Sequence, residues 1–258
     1  MKNNLFTKFV NLSYGFRLFI DNRILYPIVK KNNDWSILDK YKGKDVLVVG
    51  NGPSLNKTKL DRINMVSIGM NKINLLYDKT SWRPSIITCV NGLVIKQNKD
   101  FFNTTDSIVI LPTRALYLGV KKRKNVLFVK SLNTMDFQKN IDKGIGFVGS
   151  TVTYTALQIA AYLNPSSVNI VGVDHYFKNY TGKAAIEKYE GNDTDHFDPN
   201  YFKGQLWGLP DLEGSELAYN EAKKYFEKVR ISVTDYTIDG KLEIFKKSDI
   251  IYIYKGNV

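Results

Sequence analysis

The sequence predicts an α/β protein built on a Rossmann-like, mostly parallel sheet with helices on both faces. Three observations carry this prediction: short apolar segments recur along the chain, helical patterns lie between them, and the first apolar segment ends in a glycine-rich turn. Alternating strands and helices favour a parallel sheet, because each crossover helix covers one of its faces. The length of 258 residues and the hydrophobic content of 43% suit a domain of this kind.

The first 40 residues form a predicted amphipathic helical arm, followed by a Rossmann-like domain at residues 41–258. Within residues 3–30, apolar side chains recur mostly three or four positions apart, with basic residues at intervals. Two interpretations stay open: the helix packs on the domain or on another subunit, or it lies on an anionic membrane surface. No stretch approaches the roughly 20 apolar residues of a membrane span, and no signal peptide is visible. We therefore expect a cytoplasmic protein.

The domain begins with the strongest strand pattern in the chain. Residues 45–50 form a nearly continuous apolar run, which is typical of a strand buried on both faces. Similar patterns predict further strands at residues 65–70, 85–90, 107–111, 125–129 and 168–173, and helices at residues 150–163 and 213–229. A polar stretch before the second helix predicts a lid at about residues 177–212.

The first strand ends in the segment Gly50-Asn51-Gly52-Pro53-Ser54-Leu55. A β-branched run followed by glycines and a Pro-Ser helix start is typical of the first βα turn of a Rossmann-like domain. We expect the turn amides to face an anion and Ser54 to offer its hydroxyl to a ligand. The segment lacks the end of a P-loop and the third glycine of a dinucleotide fingerprint, so the glycines alone do not identify the ligand.

Polar residues also follow the later strands. Asn71, Asn91 and Asp174 come after predicted strands, as Asn51 does. Ligands of an open parallel sheet bind beyond the carboxyl ends of its strands. A side-chain amide there suits a sugar hydroxyl, a nucleobase edge or a phosphate. The alternative for each asparagine is a turn residue that bonds its own backbone.

Hydroxyl groups supply further candidates at the same edge of the sheet. Gly149, Ser150 and Thr151 lie at the start of the first long helix, where they form either a plain N-cap or an anion cradle. Tyr176 and Tyr180 lie just past the strand that ends before Asp174, and a phenol there can donate to a phosphate leaving group. The alternative is that both are ordinary members of a chain with 16 tyrosines.

His196, in the predicted lid, is the candidate general base. Asp193, Asp195 and Asp198 flank it, and a neighbouring carboxylate orients an imidazole and raises its basicity. A general base must titrate near neutral pH, which suits histidine. The alternative is a loop histidine with local hydrogen bonds only. Asp193 and Asp195 also form an Asp-x-Asp pattern that can hold Mg²⁺ or Mn²⁺, but so short a motif recurs by chance and we predict no metal site.

With these residues assembled, the chain resembles the bacterial CMP-sialic-acid-dependent sialyltransferases of the Campylobacter and Haemophilus type. The resemblance follows motif order over residues 46–226, through the turn at 50–55, Asn71, Asn91, Gly149-Ser150-Thr151, Gly172-Val173-Asp174-His175-Tyr176 and Asp195-His196-Phe197. It implies a single-domain GT-A-variant fold in which the strand-end asparagines bind the nucleotide and donor sugar. It also implies that Tyr176 contacts the donor phosphate and that His196 is the base.

The activity implied by this resemblance is an inverting, metal-independent transfer from a CMP-activated donor to a bacterial surface glycan, as in lipopolysaccharide or capsule biosynthesis. The donor sugar is a sialic acid or a related sugar, either another nonulosonic acid or Kdo. The acceptor hydroxyl loses its proton to His196, while Tyr176 and Ser150 stabilise charge on the leaving phosphate. The CMP-sugar is a substrate, so no cofactor is implied, and the resemblance also implies a homo-oligomer.

The extended motif from Asp195 to Trp207 and the C-terminal segment 239–245 are more similar to a wider set of Rossmann-type proteins that share the Gly-x-Gly-Pro-Ser-Leu opening. That set includes archaeal 6-hydroxymethylpterin pyrophosphokinases and flagellin-glycosylation factors. The alternative activity is therefore a Mg²⁺-dependent pyrophosphokinase, in which Asp174, Asp193 or Asp195 would be metal ligands.

The positive net charge of the chain indicates an anionic binding partner. The chain has 37 lysines and arginines against 25 aspartates and glutamates, a formal charge of +12, which indicates nucleic acid, a membrane surface or a phosphorylated substrate. The strand-end residues favour a phosphorylated donor, yet most of them are neutral. The excess charge therefore favours anionic lipid or an acidic glycan, and we expect a peripheral position on the inner face of a bacterial cytoplasmic membrane and no nucleic acid partner.

Overall fold

The computed structural model describes residues 14–146, 151–177 and 186–255. The strands in these ranges are β1 (Val46–Val49), β2 (Val66–Met70), β3 (Ile86–Thr88), β4 (Ile108–Pro112), β5 (Val126–Val129), β6 (Ser131–Leu132), β7 (Ile145–Gly146), β8 (Ser167–Val171), β9 (Ile186–Lys188), β10 (Leu206–Gly208), β11 (Ser232–Asp235) and β12 (Lys246–Lys247). Each strand predicted from an apolar run is confirmed with shifted ends.

Eight strands form one sheet in the order β12-β11-β8-β1-β2-β3-β4-β5, and every neighbouring pair is parallel. The predicted Rossmann-like α/β class is confirmed. From β1 the chain runs outward to β5, and it returns to the other side of β1 with β8. The carboxyl ends of β1 and β8 therefore form the topological switch point, where ligands of such sheets bind.

The core lies on both faces of this sheet. Val46 and Val48 belong to one apolar cluster, while Leu47 and Val49 belong to the other. Successive side chains of a strand point to opposite faces, so a strand covered on both sides needs an unbroken apolar run. This explains why the apolar residues of the first predicted strand form a continuous run rather than alternate with polar ones.

The helices are α1 (Tyr26–Lys30), α2 (Gly92–Gln97), α3 (Lys99–Phe102), α4 (Val152–Tyr162) and α5 (Leu212–Lys228). Residues 14–19 are also helical and continue through a π-helical turn, Ile20–Leu25, into α1. Shorter 3₁₀ helices lie at Trp35–Tyr41, Pro53–Lys57, Leu60–Arg62, Ile73–Leu76, Thr113–Ala115 and Ile250–Ile253. The two predicted long helices are confirmed as α4 and α5.

Two local expectations differ from the structure. The segment after the first turn is a 3₁₀ helix of five residues, Pro53–Lys57, rather than an α-helix. Strand β11 and the edge strand β12 have no apolar run in the sequence. Their residues are half-buried or exposed apart from Asp235, so no hydrophobic pattern announces them.

The described part of the N-terminal arm packs on strand β5 and on the short strand that follows it. The side-chain amide of Asn33 donates to the carbonyl of Phe128 at 2.7 Å, and its Oδ1 accepts the N–H of Phe128 at 3.0 Å. Asn22 makes the same pair of bonds with Ser131, at 2.7 and 3.2 Å. These side chains occupy backbone groups that an edge strand leaves open, so the described arm is an integral part of the fold.

The far side of the arm carries exposed apolar side chains, namely Phe16, Phe19, Ile24 and Ile28. The first part of the predicted arm at residues 1–40, namely residues 1–13, lies outside the described ranges. Within those ranges, every helix is too short or too polar to cross a membrane. The predicted lid at 177–212 contains the antiparallel pair β9–β10, and its residues 178–185 are not described.

Candidate active site

A cavity of about 680 Å³ opens at the carboxyl ends of the sheet strands. The turns after β1, β2, β3 and β8, the start of α4 and the segment from Asp195 to Trp207 contribute to its walls. The predicted site residues that line it are Asn51, Gly52, Asn71, Asn91, Thr151, Asp174, Tyr176 and His196. Pro53 and Ser54 lie outside its wall. Gly149, Ser150 and Tyr180 fall outside the described residues.

The amides of the first turn are donated to the protein itself. The N–H of Gly50 bonds to the carbonyl of Val171 and that of Gly52 to the carbonyl of Gly172, both at 2.8 Å. The N–H of Ser54 donates to Asp174 at 3.0 Å, and the Ser54 hydroxyl does so at 2.7 Å. The expected anion cradle of turn amides and the Ser54 hydroxyl is therefore corrected: these donors join β1 to β8.

Gly52 is required at its place by the position of Asp174. A Cβ added to Gly52 would collide with the Asp174 carboxylate, approaching Oδ2 most closely and Asp174 Cβ at 2.9 Å. Burial raises the pKa of Asp174 above its ordinary value, and the two hydrogen bonds from Ser54 oppose that shift. Asp174 thus lines the cavity while serving mainly as the acceptor that holds the first turn.

The strand-end asparagines divide into two kinds. Asn91 accepts the N–H of Leu93 at 2.9 Å and so caps α2, as the turn-residue alternative expects. The Oδ1 atoms of Asn51 and Asn71 are buried with no hydrogen-bond partner among the described residues. A buried acceptor without a donor costs about 1–3 kcal/mol. These two oxygens are therefore suited to a ligand that brings N–H or O–H groups.

His196 is held in one orientation by a buried carboxylate. Its Nδ1 lies 2.9 Å from Oδ2 and 3.1 Å from Oδ1 of Asp193, whose side chain has no exposed surface. The imidazole also stacks on the ring of Tyr201, with centroids 4.1 Å apart and planes inclined by 8°. With Nδ1 engaged by Asp193, acid–base chemistry on the cavity side falls to Nε2.

The same contacts make Asp193 a poor metal ligand. Its Oδ1 accepts the backbone N–H groups of Asp195 and His196 at 2.9 and 3.1 Å, in addition to the imidazole. Asp195 pairs with the hydroxyl of Tyr189 at 3.4 Å. No cluster of three metal-ligating side chains occurs in the ranges described above. Asp193 thus fits the role of orienting His196 better than that of holding Mg²⁺.

Lys72, which the sequence analysis did not single out, supports the segment that carries His196. Its Nζ donates to the carbonyl of Tyr201 at 2.8 Å and to Oε1 of Gln205 at 2.7 Å. Burial lowers the pKa of Lys72 from 10.5 to about 8, while the nearby charge of Asp193 opposes the shift. A lysine after a strand-end asparagine normally indicates solvent exposure, so no sequence signal identifies this contact.

The remaining predicted residues that line the cavity come from the segment after β8 and from the start of α4. Tyr176 is 61% exposed at the rim of the cavity. Thr151 caps α4 by accepting the N–H of Thr153, and its Oγ1 lies 3.2 Å from the hydroxyl of Tyr219. His175 has a φ of +53°, and its Nε2 lies 3.0 Å from Glu216. Thr151 therefore acts as an N-cap while also facing the cavity.

Two arginines that the sequence analysis did not single out also line the cavity. Arg17 comes from the N-terminal helix, and Arg114 lies in the 3₁₀ helix that follows β4. The basic spacing of the arm predicted an amphipathic helix but gave no indication that one of its arginines reaches the cavity.

The model of one protein family matches residues 25–180 of the chain, and its description is 6-hydroxymethylpterin diphosphokinase MptE-like. The match spans more than half of the chain. The chain belongs to this family. The matched part contains the first turn, the strand-end asparagines and Asp174. It ends before His196 and Asp193, so the MptE-like region and the candidate base lie in different parts of the sequence.

No curated protein matches the chain. Among solved structures, the chain is similar to the sialyltransferase CstII from Campylobacter jejuni in complex with the substrate analogue cytidine-5′-monophosphate. The two chains are 10% identical, and the similarity covers 84% of this chain and 89% of that chain with a TM-score of 0.49.

Proposed function

We propose that this protein is a glycosyltransferase that moves a sugar from a CMP-activated donor to a glycan hydroxyl, with His196 as general base. The observation that carries the proposal is that His196 lines the cavity while its Nδ1 is held at 2.9 Å by the buried Asp193 behind it. A buried carboxylate that holds one ring nitrogen fixes the tautomer and presents the other nitrogen to the substrate.

The chemistry of the transfer follows from that orientation. Nε2 of His196 accepts the proton of the acceptor hydroxyl as its oxygen forms a bond to the anomeric carbon. The bond between that carbon and the phosphate oxygen breaks, and CMP leaves with the electron pair. Attack from the face opposite the leaving group inverts the anomeric centre. A positioned base of this kind contributes roughly 10²–10⁴-fold to a rate.

The buried acceptors of the cavity support a nucleotide ligand. The unpartnered Oδ1 atoms of Asn51 and Asn71 suit the amino group of cytosine or ribose hydroxyls. The choice of cytidine, and of a sialic acid, another nonulosonic acid or Kdo as the donor sugar, rests on the motif order of the sequence. Tyr176 at the rim, together with Ser150, is proposed to stabilise the leaving phosphate.

The proposed acceptor is a bacterial surface glycan, handled by a cytoplasmic protein at the inner face of the membrane. The outward side chains Phe16, Phe19, Ile24 and Ile28 and the exposed Arg23 support contact with an anionic bilayer. Replacing Phe16 and Phe19 with Ser tests this part, because liposome binding should fall while thermal stability stays unchanged. Equal liposome binding of the variant and the unchanged protein would contradict it.

A second candidate is favoured by family membership, namely a diphosphokinase that transfers diphosphate from ATP with Mg²⁺. The matched region contains the first turn, the strand-end asparagines and Asp174, which form part of the cavity wall. The carboxylates available for a metal fit less well, because Asp174 accepts two hydrogen bonds from Ser54 and Asp193 holds His196. We therefore place this activity second.

A panel of nucleotides separates the two candidates by thermal shift. A ligand that binds only the folded state raises the melting temperature. We expect CMP and CDP to raise it without Mg²⁺ and ATP to have little effect. A shift with ATP that depends on Mg²⁺, together with indifference to cytidine nucleotides, would overturn the first proposal and support the second.

A further inference from the structure

The charged residues of the cavity wall are distributed unevenly. Arg17, Lys96 and Arg114 lie towards the ends of β3 and β4, whereas Asp174 and Asp195 lie towards β8 and β1. The cavity thus has a basic end and an acidic end. Three strand spacings separate β1 from β4, or about 14 Å, which is comparable to the length of a nucleotide linked to one sugar.

We propose that Arg17 and Arg114 form an oxyanion subsite that binds a phosphate or carboxylate group of the substrate. The proposal rests on the proposed function for the identity of the substrate, and it adds the part of the site that recognises its negative charge. The phosphate of the nucleotide and the carboxylate of an acidic sugar present the same paired oxygens, which suit the planar fork of a guanidinium.

Both arginines are held in place by the fold. Arg114 lies two residues after the end of β4. Its guanidinium donates to the carbonyl of Val90, which lies two residues after the end of the neighbouring strand β3. Arg17 lies on the helical arm, which Asn22 and Asn33 attach to the β5 edge of the sheet. Arg17 therefore lines the cavity from an element anchored at two places, and its guanidinium lies 4.9 Å from the centroid of the Tyr14 ring.

The local electrostatics leave this end of the cavity short of negative charge. Both arginines line the cavity, and the π-helical turn Ile20–Leu25 that follows Arg17 packs on the 3₁₀ helix that carries Arg114. Burial and the charge of Arg17 both lower the pKa of Arg114. Asp21 and the hydroxyl of Tyr117 lie beside them, but one carboxylate offsets only one of the two charges. The Nε of Arg17 is buried without a hydrogen-bond partner among the described residues. An oxyanion would relieve the repulsion.

The first turn makes this subsite more important. In many Rossmann-like proteins the amides of that turn bind a phosphate, but in this chain the N–H groups of Gly50, Gly52 and Ser54 are donated to protein acceptors. These three amides are therefore engaged within the protein, and the basic end of the cavity supplies charged donors in addition to the proposed Tyr176 and Ser150. The N-terminal arm would thereby take part in substrate binding as well as in the fold.

The test compares the variant Arg17→Gln with Arg23→Gln, which removes the same charge from an exposed position on the same arm. Dissociation constants are measured by calorimetry for cytidine, CMP and CMP-N-acetylneuraminic acid. Loss of a charge-assisted contact should weaken binding about tenfold or more. Weaker CMP binding with unchanged cytidine binding supports the subsite and identifies the phosphate. Unchanged CMP binding with weaker binding of the CMP-sugar supports it and identifies the carboxylate.

Two outcomes would overturn the subsite: equal constants for Arg17→Gln and Arg23→Gln with every ligand, or an equal loss for cytidine and CMP. The variant Arg17→Lys keeps the charge without the fork and should lie between the unchanged protein and Arg17→Gln. If no cytidine compound binds the unchanged protein, the proposed function fails and inorganic phosphate becomes the probe. In that case, the rise in melting temperature caused by inorganic phosphate is compared between Arg17→Gln and Arg23→Gln. An equal rise in the two variants would overturn the subsite as well.

Discussion

Nδ1 of His196 lies 2.9 Å from Oδ2 of Asp193, and Oδ1 of the same carboxylate accepts the backbone N–H groups of Asp195 and His196. One buried side chain thus closes the local turn and orients the ring. The backbone N–H of Phe197 bonds to the carbonyl of Asn51 at 3.0 Å. This bond joins the histidine segment to the first turn of the sheet, so the candidate base sits at the switch point.

Asp193→Asn should lower kcat about 100-fold or more and leave the binding of CMP nearly unchanged. An amide at this position can donate to Nδ1 of His196 and so favour the tautomer that lacks a basic Nε2. Steady-state kinetics and CMP-induced thermal shifts measure the two effects separately. A variant that keeps most of its kcat would show that Asp193 does not act through the imidazole.

Gly52→Ala should lower the free energy of unfolding by about 1–3 kcal/mol, because the new methyl group collides with the Asp174 carboxylate. Gly15→Ala is the matched control, since a Cβ at that position meets nothing within 4 Å. Urea denaturation gives both values. Equal stability of Gly52→Ala and the unchanged protein would contradict the close packing of the first turn on Asp174.

Lys72 should make stability depend on pH in the alkaline range. Its pKa is about 8 in the folded protein, against 10.5 as the ordinary value. Between these two values the unfolded chain binds the extra proton, so the free energy of unfolding rises with pH. Urea denaturation from pH 7 to 9.5 gives the free energy of unfolding of the unchanged protein and of Lys72→Met. As the pH rises, the value for the unchanged protein should increase relative to that of the variant. A difference that is constant over this range would refute the assignment.

Asn33→Ala should destabilise the protein by about 1–3 kcal/mol, because the N–H and the carbonyl of Phe128 lose their partner. Asn32→Ala is the control, since the side chain of Asn32 is exposed, and surface changes usually stay within about 0.5 kcal/mol. Thermal denaturation distinguishes the two variants. Equal melting temperatures would indicate that the amide contact does not anchor the arm.

The central strands were predictable from the sequence because burial on both faces demands continuous apolar runs. Val46–Val49 and Val66–Met70 are buried throughout, and the predicted segments at 45–50 and 65–70 contain them. Strands β11 and β12 were not predictable. Ser232–Asp235 contains one aliphatic residue and pairs through its backbone, and backbone pairing leaves no mark in a hydrophobic pattern.

The candidate site was predictable where residues follow a strand and unpredictable where distant segments meet. Asn51, Asn71 and Asp174 could be placed at the cavity from their strand-end positions alone. Lys72 and Arg114 could not be assigned roles, because their partners lie elsewhere in the chain: Lys72 bonds to Gln205, and Arg114 lines the same cavity as Arg17. The role of Ser54 was misjudged for the same reason, since its partner Asp174 is 120 positions away.

The most direct test of the account is a comparison of His196→Gln with the unchanged protein, using CMP-N-acetylneuraminic acid and a glycan acceptor. The rate of CMP release that depends on the acceptor is measured together with the thermal shift caused by CMP. We predict that the variant loses about 10²–10⁴-fold in rate and keeps the CMP shift. Transfer at an undiminished rate in the variant, or no transfer and no CMP shift in the unchanged protein, would contradict the account.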